Sequence, residues 1–176
     1  MLTRDGEAKR EAVRFGAREL VHASVIAAVY ALLTFLLLPI SSGLIQCRVS
    51  EALCVLPYFT PAAVPGLFVG CLLGNLLSGA PVYDVAFGSL ATLLAAAMTY
   101  LLRNRAPKFI APLPSVAVNA FVVGAVLKFG YGVDVPYYAA CLYVAAGQAL
   151  ACYGVGMPLL LALERFLPKL FTGKGR

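Results

Sequence analysis

Seven polar side chains interrupt the long apolar stretches of this sequence, and their chemistry could recognise a ligand. They are Gln46, Arg48, Glu51, Asn75, Asp84, Asn119 and Gln148. Carboxylates accept hydrogen bonds, a guanidinium group donates them, and amides do both. Such groups are costly to bury unless they are paired or face a polar molecule. Together they suit a small polar ligand with donors and acceptors on one edge.

The elements that hold these side chains must lie in lipid. The chain has 176 residues, of which 61% are hydrophobic and 12% are charged, whereas soluble domains carry about 25% charged residues. So few polar residues cannot cover the surface of a soluble protein of this size. The composition therefore excludes a soluble enzyme, a secreted disulfide scaffold and a disordered chain.

The apolar runs and the prolines predict an all-α integral membrane protein with six transmembrane helices. The uncharged stretches cover residues 20–47, 52–83, 85–102, 109–127 and 135–163. A spanning helix needs about 20 residues. The second stretch contains Pro57, Pro61 and Pro65, which disfavour one continuous helix. It therefore divides into a short, proline-bounded second helix that ends near Tyr58 and a third helix over about 62–77.

The positive charges support six spans, because the positive-inside rule then holds. Both termini and the 103–108 loop fall on one side, with all of the fourteen Lys and Arg residues except Arg48 and Lys128. We expect this side to be cytoplasmic. The predicted domains are a cytoplasmic N-terminal basic extension, a six-helix transmembrane domain and a cytoplasmic basic tail. Their ranges are 1–19, 20–167 and 168–176.

The charged positions allow a structural role as well as a ligand-binding one. Arg48 and Glu51 lie three residues apart and would share a helix face, so they could neutralise each other as an ion pair. Gln46 and Ser50 beside them favour a ligand-facing surface instead. Asp84 opens the predicted fourth helix, where its carboxylate could cap free backbone N–H groups. On the six-span topology these charges all lie on the outer side.

Three amides extend the polar set into the membrane. Asn75 lies late in the third helix, and Asn119 and Gln148 lie midway along the fifth and sixth spans. Each could simply bond to a neighbouring helix, which is worth about 0.6 kcal/mol. Alternatively, they could converge with the outer charges on one outward-open pocket. A carboxylate there could accept two N–H groups from a guanine-like edge.

The first helix offers a surface for another helix. Ala23, Ala27 and Ala31 are spaced four residues apart, and small residues at this spacing let helices approach closely in lipid. The strip could pack against a partner subunit or against another helix of the same chain. The sequence has neither a Walker motif nor a chain of carboxylates along its helices. Uphill transport would therefore take its energy from a partner.

Catalytic and metal chemistry have few candidates. The five cysteines form no CxxC pair and no Cys/His cluster, so we expect no metal site. The single histidine, His22, begins the first helix with no acidic neighbour nearer than Glu19. We expect no catalytic residue and no directly bound cofactor. An integral membrane enzyme that acts on lipid is the alternative from another functional class.

Three segments carry a family resemblance: IQCRVSEAL at 45–53, GCLLGNL at 70–76 and DVAFGSLATL at 84–93. They resemble the QueT family, whose members are substrate-binding (S) subunits of energy-coupling factor (ECF) transporters. The six-helix length and the alanine strip are similar to ECF substrate-binding subunits in general. The resemblance covers residues from about 23 to 160.

This resemblance implies a substrate-binding subunit of an ECF-type ABC importer in a bacterial cell membrane. QueT proteins take up queuosine precursors, which are deazaguanine bases such as queuine or a prequeuosine base. They act with a transmembrane coupling subunit and two ATPase subunits, and these partners use ATP. The substrate-binding subunit itself is then not an enzyme.

The resemblance also implies roles for individual residues. Ala23, Ala27 and Ala31 would contact the coupling subunit. The substrate end would hold Arg48, Glu51, Asn75 and Asp84. The last helix departs from the family pattern, because Gln148 stands where many members have Glu after Gly. This difference leaves the ligand open, and another vitamin-like small molecule is the alternative substrate.

Overall fold

Most of the described residues are helical and none lies in a strand, which confirms the all-α prediction. The structure is a computed structural model that describes residues 16–38 and 48–166. Most of the predicted basic extension and all of the predicted basic tail lie outside these residues, as does Gln46.

Consecutive helical turns form six segments within the described residues. They are α1 (Ala17–Leu36), α2 (Val49–Tyr58), α3 (Ala63–Leu77), α4 (Asp84–Leu102), α5 (Lys108–Gly130) and α6 (Tyr137–Phe166). The short α2 has 3-10 geometry. Parts of α4, α5 and α6 are wound as π-helix. Such π turns occur often at functional sites.

Four of these helices, α1, α4, α5 and α6, are long and apolar enough to cross a membrane. The apolar helices α2 and α3 are shorter, with 10 and 15 residues. The chain is therefore a multi-pass membrane protein. The count of six spans and the cytoplasmic position of both termini stay predictions.

The prolines set a helix boundary as the sequence predicts. α2 ends at Tyr58 and α3 begins at Ala63, with Pro61 in the turn between them. The π-helical part of α4 begins at Asp84. A proline lacks the backbone N–H that a continuous helix needs, which explains why the stretch divides there.

The most extensive helix contact joins α1 to α3. Gly66, Gly70 and Gly74 of α3 face α1 at intervals of four residues. A Cβ at Gly66 would lie 2.8 Å from the carbonyl oxygen of Ala23, and one at Gly70 would lie 2.7 Å from the Cβ of Tyr30. Real side chains do not approach this closely, so the contact requires glycine.

This contact occupies the alanine strip of α1. Ala23, Ala27 and Ala31 are buried, and the first two lie directly against the α3 glycines. The finding corrects the expectation that the strip is free to contact a coupling subunit. Small-residue strips bring two helices together whichever chain supplies the second helix, and here α3 supplies a matching strip of glycines.

We expect Gly70→Ala to destabilise the protein by about 1–3 kcal/mol, the usual range for overpacking. The new Cβ would lie 2.7 Å from the Cβ of Tyr30 and 2.9 Å from the carbonyl oxygen of Ala27. Gly154→Ala in α6 is the matched control, because nothing lies within 4 Å of a Cβ there. Thermal unfolding in detergent compares the two variants. Equal midpoints would show that α1 and α3 do not depend on this close approach.

Candidate ligand-binding site

The carboxylate of Glu51 lies buried among α1, α2 and α5. One of its oxygens accepts a hydrogen bond from the hydroxyl of Tyr30 on α1. The other accepts from the hydroxyl of Ser115 at 2.9 Å and from the amide of Asn119 at 3.3 Å, both on α5. We call these four residues the Glu51 cluster. Glu51 is only 2% exposed, and three of the roughly four acceptor positions of its carboxylate are occupied.

The local sequence explains how α5 supplies two of these donors. Ser115 and Asn119 are four residues apart, so their side chains lie on one face of the helix. The amide nitrogen of Asn119 is also 3.3 Å from the Ser115 hydroxyl oxygen. Both side chains are buried, and this face of α5 therefore presents a pair of donors to Glu51.

A second group of polar residues surrounds Asp84 at the start of α4. Arg48 donates from Nη1 to the side-chain oxygen of Asn75 at 2.9 Å, and its Nη2 lies 3.5 Å from Oδ2 of Asp84. The same Asp84 oxygen accepts from the hydroxyl of Tyr131 at 2.7 Å. The Asn75 amide donates to the backbone carbonyl of Asp84 at 3.0 Å. We call Arg48, Asn75, Asp84 and Tyr131 the Asp84 cluster.

The interpretation of Arg48 and Glu51 as an ion pair is wrong for the described structure. Arg48 precedes α2 as its N-cap and has an extended backbone, with φ −81° and ψ 103°. Its side chain therefore does not share the helix face on which Glu51 lies. The guanidinium group instead forms an ion pair with Asp84.

The interpretation of Asp84 as a helix cap is also wrong. No side chain caps the start of the π-helical turn, and helical geometry already begins at residues 82–83. Asp84 consequently lies within the first turn rather than before it. Its Oδ2 binds Arg48 and Tyr131 instead of backbone N–H groups.

The other oxygen of Asp84 has no hydrogen-bond partner. This Oδ1 atom and the hydroxyl of Ser89 are the only buried polar side-chain atoms without a partner in the described residues. A Cβ at Gly88 would lie 3.9 Å from Oδ1 and 3.4 Å from the amide nitrogen of Asn75, so this glycine leaves space beside the carboxylate. An unpaired buried acceptor costs about 1–3 kcal/mol. A ligand N–H group would remove that cost.

Two tyrosines form a partly exposed edge beside the Asp84 cluster. The rings of Tyr83 and Tyr131 meet edge to face, with their centroids 6.5 Å apart. They are 45% and 44% exposed, respectively. Partial burial and the hydrogen bond to Asp84 raise the pKa of Tyr131. The phenol therefore stays protonated at neutral pH and donates to the carboxylate.

The six predicted site residues within the described structure fall into two groups. The first comprises Arg48, Asn75 and Asp84 in the Asp84 cluster. The second comprises Glu51, Asn119 and Gln148. The thiol of Cys152 links Gln148 to Glu51, because its sulfur is 3.5 Å from the Gln148 side-chain oxygen and 3.5 Å from the Glu51 backbone carbonyl oxygen.

Sequence reasoning missed Tyr30, Ser115 and Tyr131. Tyr30 and Ser115 lie in apolar helices, where tyrosine and serine usually pack without a special role. Ser115 had a usable signal, since it lies one helical turn before Asn119. Tyr131 also had a usable signal, because it lies between two glycines in the connection that follows α5.

No group of three or more potential ligands in the described residues could hold a metal ion.

Two comparisons relate the chain to known proteins. The model of the QueT transporter family matches residues 20–165. A curated protein named Queuosine precursor transporter QueT, from Lactococcus lactis subsp. cremoris (strain MG1363), is 37% identical over 89 residues. The match covers 49% of this chain and 52% of that protein, so the chain spans about half the length of this relative. No solved structure matches the chain.

We expect Glu51→Ala to lower the stability of the fold by about 3 kcal/mol or more, because each of its three buried donors would lose a partner worth about 1–3 kcal/mol. Glu164→Ala is the control. Glu164 pairs with Lys108 at 2.7 Å outside the buried core, and surface pairs contribute about 0–1 kcal/mol. Thermal unfolding in detergent measures both variants. A loss no larger in Glu51→Ala than in Glu164→Ala would contradict a structural role for the Glu51 cluster.

Proposed function

We propose that this chain, which belongs to the QueT transporter family, binds a queuosine precursor from outside the cell. The substrate class is a deazaguanine base such as queuine or a prequeuosine base. The name of the Lactococcus lactis relative, a queuosine precursor transporter, supports this class. The observation that carries the site is the buried, unpaired Oδ1 of Asp84 close to the Arg48 guanidinium.

The Asp84 cluster complements the edge of a guanine-like ring. That edge presents N–H donors beside a carbonyl acceptor. Asp84 Oδ1 accepts from the N–H groups of the ligand. Arg48 uses two nitrogens on Asn75 and Asp84, and its remaining donors bind the carbonyl. An exposed aromatic edge formed by Tyr83 and Tyr131 stacks on the ring face, as aromatic side chains do with bases.

The Glu51 cluster positions this site. The carboxylate of Glu51 already accepts from three protein donors, so it joins α1, α2 and α5 and fixes the start of α2. Arg48 lies at that start and is thereby aimed at Asp84. Asn119 and Gln148 act with Glu51 in this role. Gln46 lies outside the described residues, and its contact with the ligand stays a prediction.

The site opens outward in this proposal. Arg103, Arg105 and Lys108 follow the far end of α4, opposite Asp84. Lys108 also pairs with Glu164 near the end of α6, which brings Arg165 to the same end. The positive-inside rule places this basic end in the cytoplasm, and the Asp84 cluster then faces the exterior.

Partner subunits supply the energy for uptake. The sequence contains no Walker motif, the loop that would bind the phosphates of ATP. We therefore propose that the chain is the substrate-binding subunit of an ECF-type importer, with a transmembrane coupling subunit and two ATPase subunits that hydrolyse ATP. The chain itself binds and releases the substrate without chemical change.

We expect Asp84→Asn to weaken deazaguanine binding by about 10- to 100-fold, because a hydrogen bond to a charged group contributes about 1.5–3 kcal/mol. Asp134→Asn is the matched control, since Asp134 is exposed in the connection that follows α5. Thermal unfolding with increasing ligand measures the affinity, because a hundredfold excess over Kd stabilises by about 2.7 kcal/mol. The ligands are queuine, the prequeuosine bases, guanine and a panel of vitamins.

The outcomes of that titration separate the alternatives. If deazaguanines raise the unfolding midpoint of Asp134→Asn but not that of Asp84→Asn, both the proposed substrate and the proposed site are supported. Equal deazaguanine affinity in Asp84→Asn and wild type contradicts the site. If only a vitamin raises the unfolding midpoint, the proposed substrate is wrong but the chain is still a substrate-binding subunit. Conversion of a lipid or precursor by the purified chain would favour a membrane enzyme instead.

We also expect binding and uptake to have different requirements. The purified chain should bind its ligand without ATP, whereas cells should accumulate the ligand only when the coupling subunit and active ATPases are present. Radiolabelled uptake in cells with and without these subunits measures the difference, and an ATPase variant that cannot hydrolyse ATP is the control. ATP-independent accumulation by the chain alone would contradict the ECF assignment.

A further inference from the structure

An apolar groove lies between α3 and α4, away from both polar clusters. It encloses about 440 Å³, and only apolar atoms line it. Val64 and Phe68 form part of one wall, and Leu93, Ala97 and Tyr100 form part of the other. Leu93 and Tyr100 are seven residues apart along α4, which is about 10 Å of helix. The groove therefore has the length and polarity to take part of a hydrocarbon chain.

A positive charge lies at one end of this groove. The guanidinium carbon of Arg103 is 3.8 Å from the centroid of the Tyr100 ring, a distance at which a cation is attracted to the ring face. Within residues 16–38 and 48–166 the ion pairs involve Arg48 and Lys108, so Arg103 has no carboxylate partner there. Its charge is available to an anion at the end of the groove.

We propose that this groove binds an acyl chain of an anionic phospholipid and that Arg103 binds the phosphate of the same lipid. Arg103 directly follows Leu102, the last residue of α4, which puts the cation at the membrane surface where headgroups lie. A guanidinium group binds phosphate through parallel N–H groups. Basic sites between transmembrane helices select anionic headgroups in this way.

The charge gives the site its preference among lipids. An acyl chain gains little from leaving other acyl chains, because lipid tails are as apolar as the groove. The phosphate contact therefore decides which lipid occupies it, and anionic lipids gain most. This inference does not depend on the proposed substrate, since none of the groove residues belongs to the Asp84 cluster or the Glu51 cluster.

Thermal unfolding of the purified full chain in neutral detergent tests the proposal, with phosphatidylglycerol or phosphatidylcholine added. We expect phosphatidylglycerol to raise the midpoint more than phosphatidylcholine. Arg103→Gln should weaken phosphatidylglycerol binding about five- to tenfold. Arg105→Gln is the matched control, because it removes the same charge from an exposed position two residues away. Ala97→Phe fills the groove without changing charge and should weaken binding as well.

Several results would overturn the proposal. One is wild-type affinity for phosphatidylglycerol in both Arg103→Gln and Ala97→Phe. Another is a rise in the unfolding midpoint with inorganic phosphate alone that equals the rise with phosphatidylglycerol, which would leave the groove without a role. Loss of uptake in Ala97→Phe with unchanged lipid binding would assign the groove to a helix of a protein partner. If Ala97→Phe does not fold, the comparison of Arg103→Gln with Arg105→Gln decides.

Discussion

The need of the Glu51 carboxylate for hydrogen-bond donors constrains the rest of the bundle. A carboxylate that leaves water is stable only when other groups replace its hydration. Donors from α1 and α5 do so here, through Tyr30, Ser115 and Asn119. Because these donors come from separate parts of the chain, the carboxylate ties α1, α2 and α5 together. The position of Arg48 at the start of α2 follows from that arrangement.

Close helix packing and the polar cluster depend on each other. Tyr30 reaches Glu51 from α1, and the same residue lies against Gly70 of α3. A side chain at position 70 would push α1 away and would withdraw the hydroxyl from the carboxylate. In lipid, apolar burial does not drive helices together, so packing and interhelical hydrogen bonds must do so. The glycines of α3 and the donors around Glu51 together meet that requirement.

The sequence predicted the helices better than it predicted which residues pair. Prolines marked the break between α2 and α3, because the geometry of proline acts locally and is visible without the fold. The pairing of Arg48 with Asp84 joins residues 36 positions apart, and nothing local specifies it. The alanine strip was misassigned for the same reason, since its spacing shows that a helix packs there but not which one. The sequence did not identify Tyr131 as a site residue, because tyrosine is common near membrane surfaces.

Glu51 and Asp84 are both buried but differ in how fully the protein satisfies their carboxylates, and the proposed supporting and recognition roles follow from this difference. Glu51 accepts three hydrogen bonds and has little left to offer a ligand. Asp84 has a long contact of 3.5 Å with Arg48 and one buried oxygen without a partner, whereas a good charged hydrogen bond measures about 2.7–2.9 Å. Arg48 meanwhile makes its shorter bond, 2.9 Å, to the amide of Asn75. The cation and the carboxylate thus neutralise each other while both keep hydrogen-bonding capacity, so the proposed ligand, with adjacent donors and acceptors, would stabilise the Asp84 cluster more than the Glu51 cluster.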